Sequence, residues 1–439
     1  MKDNKLLLGL ATLVVAGLVV RLLRFTDVYG VNMMFFDEWA FFGPLFHHGS
    51  AWEAFDYQHG PHRMGVGALI SNALMEMSGW NTRWNAFAVA ITMIFSAGMG
   101  VALCIKAGCR AWLSMLFCAV VFLNLRQYEA LVGAVNLSHG ALPEAILLLI
   151  CLCWWIRGAF LRAVCIGVLT WIMIFTGFGL FAGLVIPTVL LIEAWVEWRQ
   201  GHRDSLPMHL MALLIIASGW SLFAWGYKFQ PAVAGFHFPH ERPWEYLPFM
   251  ALMMGYMEGI SGTGWLTIGS GLLLLLLIIA AGGCAFYRLL RSEGSRPVDK
   301  AVLTLTAFTG FFCINAAIGR ICLGWDGALA SRYLPLMLPG ILGNFVMLNQ
   351  LSVEVWWKDR LPLAFCLLIA PGLLIPTPQD WKCIRWYHDG KLSWRRVYLE
   401  TRNERRANEI SRFQIYPVEG VVAEKMQFLQ RHHLNLFKE

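Results

Sequence analysis

The chain predicts an all-α polytopic membrane protein with about eleven to thirteen transmembrane helices, and three observations carry that expectation. Of its 439 residues, 58% are hydrophobic and 14% charged, a composition too apolar for a water-soluble protein of this length. Apolar runs of about 15 to 24 residues recur along it, matching a hydrocarbon core of about 30 Å crossed at 1.5 Å per helical residue. The runs are continuous and lack the alternation of a lipid-facing barrel strand.

The first run, 6–25, has Lys2 and Lys5 before it and Arg21 and Arg24 at its end. No small-residue cleavage site follows, so it reads as a retained helix and not as a signal peptide. Further runs lie at 63–80, 86–106, 111–125, 139–157, 163–176, 177–197, 207–227, 264–287, 301–320, 333–350 and 361–376. The basic loops "YRLLRSEGSRPVDK" (287–300) and "EWRQGHRD" (197–204) belong in the cytoplasm by the positive-inside rule, as do Lys2 and Lys5. Counted from either end, the first loop and the tail then lie outside. That requires an odd number of crossings, whereas the runs number an even twelve or so. The expected repair is a broken or re-entrant helix at 111–139, where a short apolar run meets "NLRQYEALVGAVNLSH".

Three segments are too polar or too aromatic to span. Residues 26–62 form a first outer loop with two short amphipathic pieces that suit interfacial helices. A second large outer loop covers 228–263, rich in Pro, His and aromatics. The chain therefore divides into a transmembrane domain, 1–376, and a small extracytoplasmic region, 377–439, too short to be a catalytic domain alone. Most of the eleven cysteines sit in or beside apolar runs, where a thiol acts as a small hydrophobe. No zinc-like spacing occurs and no disulfide framework is expected. The net charge of +7 suits anionic lipid headgroups better than nucleic acid.

Four clusters can carry chemistry. "FFDEW" (35–39) sets Asp37 and Glu38 among aromatics just past the first helix. They are either a solvated loop pair, or a general base or metal ligand at the mouth of a cavity, where drying raises a carboxylate pKa. Adjacent side chains point apart, so one of the two is the base. "QHGPHRMG" (58–65) brings His59, His62 and Arg63 back toward that loop, either as snorkelling interfacial groups or as a site in which the arginine fork holds a phosphate. In "IGRICLGWDGALASRYLPL" (318–336), Arg320 and Arg332 either pair with Asp326 or face a lipid-linked anion. Glu129 and Asn136 form a weaker fourth cluster that can equally serve only to satisfy a broken helix, and Glu144, Glu193 and Glu258 read as structural.

An N-terminal helix, "FFDEW" in the first outer loop, "QHGPHR" opening the next run, "SRY" on a late helix and a tail ending in "LNLF" together resemble the membrane glycosyltransferases of the GT-C superfamily. The likeness is nearest to bacterial O-antigen-modifying members, including the serotype-converting glucosyltransferases. It is one of layout over most of the chain, with specific motifs in about a tenth of it. The resemblance implies a GT-C-like fold in the bacterial inner membrane with its active site facing the periplasm. The donor is then a sugar, glucose in the nearest members, on a polyprenyl phosphate such as undecaprenyl phosphate, and the acceptor a surface glycan such as the O-antigen of lipopolysaccharide.

In that scheme Asp37 is the catalytic base with Glu38 as understudy, and Arg63, Arg320, Arg332 and His62 bind the donor phosphate. Trp39, His59, Glu129, Asn136 and Tyr333 bind acceptor or line the cavity. No cofactor is implied, and a divalent metal at Asp37 and Glu38 stays open. One departure matters: related proteins read His-Asn-Glu-His-Arg where this chain has His59-Gly60-Pro61-His62-Arg63, so a carboxylate at 61 is missing and weight shifts to Asp37, Glu38 and Asp56. Two rival readings remain, a lipid-linked glycan transporter without chemistry and an O-antigen polymerase or acyltransferase.

Overall fold

The computed structural model describes residues 5–231, 233, 235–291, 296–351 and 360–438; Lys2 and residues 292–295 of the basic loop lie outside these. Eight described helices are long and apolar enough to cross a membrane, among them Lys5–Tyr29, Thr82–Lys106, Leu206–Ala224 and Trp265–Arg291. The strands among the described residues amount to one two-residue hairpin, Gln58–His59 with His62–Arg63. The chain is an all-α polytopic membrane protein.

Polar contacts at the helix ends sort those ends onto two faces. On one, Gln350 donates to the Ala107 carbonyl (2.6 Å) and Arg288 to the Gln350 carbonyl (3.0 Å), so the basic loop shares a face with the ends of Thr82–Lys106 and Leu334–Asn349. On the other, Arg21 donates to the carbonyls of Leu374 (2.9 Å) and Leu123 (3.4 Å), and Arg126 to that of Gly372 (2.9 Å). Lys5–Tyr29, Ala111–Phe122 and Leu361–Leu374 therefore end together on the face that carries the first loop and the tail.

The run expected to cross at 63–80 does not cross. It folds as Gly65–Ser78, 14 residues and so about 21 Å long, and both of its ends stay beside the first loop. Ahead of it, His59 sits 4.8 Å from the Phe41 ring; beyond it, Thr82 Oγ1 donates to the Val31 carbonyl (3.2 Å) and Trp80 packs on Phe46 (4.9 Å). Two glycines let the helix lie this close: a Cβ at Gly65, whose φ is +54°, would sit 2.3 Å from the Phe175 carbonyl oxygen, and one at Gly67 1.8 Å from Ser138 Oγ. Removing this run from the count makes the crossings odd. The segment 111–139 is broken, as Ala111–Phe122, Leu125–Gln127, Tyr128–Val132 and Leu137–His139, yet it adds no crossing because all of it beyond Phe122 stays on the first-loop face. An apolar helix the sequence reading did not single out, Tyr246–Tyr256, packs inside 228–263 against Trp265–Arg291.

Region 377–439 is not a separate body. Its helix Pro378–Thr401 starts at a capping box in which Thr377 and Asp380 satisfy each other's backbone N–H groups, with Pro378 in the first turn. Asp380 also holds Arg126 at 2.9 Å in a fully buried ion pair. Farther along, Trp394, Tyr398, Phe413, Ile415 and Met426 bury against Val31, Met33, Met34, Phe35 and Trp39, so tail and first loop share one small core. Backbone contacts fix the register: Phe36 N–H donates to the Ile415 carbonyl (2.8 Å) and Asn435 Nδ2 to that of Trp80 (2.6 Å). The cysteines are free thiols.

Candidate active site

The "FFDEW" turn separates its two carboxylates. Phe36 takes a left-handed φ of 55°, a conformation that costs a bulky residue of order 1–3 kcal/mol and is held here by the Ile415 contact. The kink aims Asp37 into a cavity and turns Glu38 inward, where it is fully buried. Glu38 Oε2 accepts from Phe35 N–H (2.9 Å) and lies 4.0 Å from Lys391 Nζ. Burial pushes its pKa up to about 8, against the pull of Lys391 and the backbone. Glu38 thus braces the turn and does not line the cavity, which corrects its expected roles as an alternative base and as a partner of Asp37 on a metal.

The cavity, about 250 Å³, is lined by Asp37, Phe36 and Phe41 from the first loop, Glu129, Asn136 and His139 from the broken segment, Arg332, and Trp386 and Tyr387 from the tail helix. Glu129 is its keystone. Its Oε2 accepts from the Arg332 backbone N–H (2.9 Å), its own N–H donates to Ser331 Oγ (3.0 Å), and its Oε1 accepts from the Tyr387 hydroxyl (3.2 Å). The Ser331–Tyr333 turn is pinned by its backbone; among the described residues the Arg332 guanidinium makes no hydrogen bond, lies 5.8 Å from the Tyr333 ring and sits in the field of the Glu129 and Asp37 carboxylates.

Around Asp37 burial favours the neutral form of the histidines. Burial lowers the His59 pKa although Asp37 opposes the shift; burial, followed by the nearness of His59 and Arg320, brings His62 to about 3, and burial holds His139 well below the ordinary value. His59 Nε2, 3.8 Å from Asp37 Oδ1, is the one basic group within 4 Å of that carboxylate among the described residues, and burial lowers its pKa. Asp37 is therefore open to cavity contents.

Tyr333 points the opposite way from Arg332, into a second cavity of about 440 Å³ walled by His62, Phe178, Phe229, Phe236, Phe238 and Arg320. The Tyr333 hydroxyl is buried there without a hydrogen-bond partner. Arg320 makes no hydrogen bond or ion pair with a described residue, and neither Arg320 nor Arg332 pairs with Asp326, which is exposed. The site thus joins an acid-lined pocket to an apolar one, with a cation on each.

Other expected site residues lie elsewhere. Arg63 lines neither cavity. Its guanidinium is saturated by the Asp56 carboxylate (2.6 Å) and by the carbonyls of Asp56, Phe223 and Trp225, which corrects its expected role on the donor phosphate and occupies Asp56 as well. Trp39, 1% exposed, stacks on Phe46 in the loop–tail core and does not line the cavity. Trp386, Tyr387 and His139 were not singled out in the sequence. The string "RWYHDG" sits on an amphipathic helix, and no local pattern brings it beside Asp37. Compared with known proteins, the chain matches no family model and no curated protein sequence.

Proposed function

We propose that the protein is a GT-C-type membrane glycosyltransferase that moves a sugar, glucose in the closest reading, from a polyprenyl-phosphate donor to a hydroxyl of a surface glycan. In this reading the reaction takes place on the first-loop face, at the periplasmic side of a bacterial inner membrane; the basic loop on the opposite face supports that orientation. One observation supports the reading: an open carboxylate, Asp37, shares a cavity with Arg332, and Arg320 rims the adjoining apolar cavity, neither guanidinium making a hydrogen bond with a described residue. Asp37 takes the acceptor proton as the acceptor oxygen bonds to the anomeric carbon and the bond to the donor phosphate breaks. Arg332, Arg320 and the Tyr333 hydroxyl meet the charge that grows on the departing phosphate. The aromatic walls of the second cavity hold the first isoprene units.

The test uses the purified full chain in nanodiscs with synthetic polyprenyl-phosphate glucose and a lipid-linked oligosaccharide acceptor, scored by mass spectrometry for a new glycosidic bond. Transfer that is lost in Asp37→Asn supports the reading. Donor moved between leaflets with no bond formed favours the transporter instead.

A further inference from the structure

The wall of the Asp37 cavity supplied by the tail has features that catalysis at Asp37 does not use. Trp386 is 49% exposed and lines the cavity, yet its ring is fixed in place, 4.7 Å from Phe413 and edge-on to Phe35 at 6.2 Å. A half-exposed indole held rigid presents apolar area at little entropic cost. Asn136 lines the same cavity. Its Oδ1 accepts from Ser138 N–H (2.8 Å), which sets the orientation of the amide and leaves Nδ2 buried with no partner. Nδ2 is closed off from the cavity as well, so the Asn136 amide shapes the wall and Asp37 is left to meet a ligand hydroxyl. The Tyr387 hydroxyl is already taken by Glu129, so Tyr387 adds only its ring.

We propose that this cavity is a pyranose subsite: the C–H face of one hexopyranose ring of the acceptor lies on Trp386, and its hydroxyls meet Asp37. An exposed aromatic ring and a carboxylate in one cavity match a sugar ring, which has an apolar face and a rim of hydroxyls, and do not match an acyl chain. The volume of about 250 Å³ admits one ring, so neighbouring residues of the glycan extend outward past the tail helix. The inference rests on the glycosyltransferase reading for its name of acceptor, but the binding itself needs no donor.

Saturation-transfer NMR on the full chain in nanodiscs, with methyl hexopyranosides as probes and no donor present, tests it directly. At least one pyranoside should receive saturation from wild type, lose it in Trp386→Ala and regain most of it in Trp386→Phe. In the transfer assay Trp386→Ala should raise the acceptor KM about tenfold with the donor KM unchanged. Thermal unfolding of each variant identifies any that misfold, and Trp386→Phe keeps the packing on Phe413. Pyranoside binding that is equal in wild type and folded Trp386→Ala, or absent from wild type, overturns the subsite. Binding that depends on Trp386 in a protein whose Asp37→Asn variant still transfers sugar at the wild-type rate leaves the subsite standing and sinks the catalytic reading.

Discussion

Two polar clusters lie on opposite faces of this helical layer, and they treat charge differently. On the basic-loop face, Lys300 Nζ meets Glu193 Oε1 at 2.5 Å and lies 4.8 Å from the Trp154 ring. His209 sits 3.4 Å from the other oxygen of Glu193 and bonds the Ser205 carbonyl at 3.0 Å. Glu197 accepts from the Ser205 hydroxyl. Each charge there has its counterpart within the protein. On the first-loop face neither Arg320 nor Arg332 has a carboxylate within 4 Å among the described residues and Asp37 has only the His59 ring, at 3.8 Å, whereas Arg63 is saturated and Arg126 is paired with Asp380. Charge satisfied internally holds helices together, whereas charge left open at the rim of a cavity is available to a ligand.

The comparison can be broken at its structural pole first. Lys300→Met leaves Glu193 buried without its cation and should cost about 3–5 kcal/mol of stability, whereas Lys300→Met with Glu193→Leu should recover much of that loss. Activity per folded molecule should stay unchanged in the double variant. Unfolding in detergent followed by thiol reactivity reads the first quantity, and a specific defect in turnover would blur the distinction between the clusters.

Next in size is Asp37→Asn, which keeps shape but cannot accept a proton. Turnover should fall at least about a hundredfold, or about 2.7 kcal/mol in the barrier, with donor binding retained. Full activity in this variant would leave the first-loop cluster without a catalytic role.

A smaller effect separates the arginines. Arg332→Ala should depress transfer more than Arg332→Lys, because the ammonium keeps part of the attraction for phosphate but loses the fork. Arg63→Ala should instead lower the yield of folded protein while the molecules that fold keep the wild-type donor KM. A raised donor KM in folded Arg63→Ala would return that residue to the site.

The smallest expected change is in pH dependence. Burial raises the Glu38 pKa from 4.5 to about 8, so the folded chain holds a proton that the unfolded chain releases. That stabilisation is complete below about pH 4.5 and is lost as pH rises toward 8. Glu38→Gln keeps a neutral group there, so its unfolding temperature should fall less than that of wild type between about pH 5 and pH 8. Parallel curves would mean that the loop–tail core does not feel this carboxylate.

Asp37, Arg320 and Arg332 could be singled out in the sequence because ionisable residues next to apolar runs stand out from their surroundings. Which of their neighbours were already occupied could not be seen. Arg63 and Arg332 look alike in sequence; one is saturated by carbonyls of Phe223 and Trp225 and the other is held by its backbone through Glu129, a partner about two hundred residues away. Asp37 and Glu38 part because Phe36 is left-handed, a conformation imposed by Ile415 from the far end of the chain.

The sequence by itself determined the class of protein, since the cost of burying backbone polar groups in lipid leaves long apolar runs no choice but helix. It determined most helix positions and, through basic loops, the parity that the crossings must satisfy. Only the tertiary structure decided that Gly65–Ser78 lies along one face, because glycine contacts with Ser138 and Phe175 hold it there and hydropathy does not register such contacts. Only the tertiary structure, too, brought Trp386 and Tyr387 against Asp37. The tail is pinned by Asp380 on Arg126 and by the core it shares with the first loop, and neither long-range contact leaves a local pattern in the residues that make it.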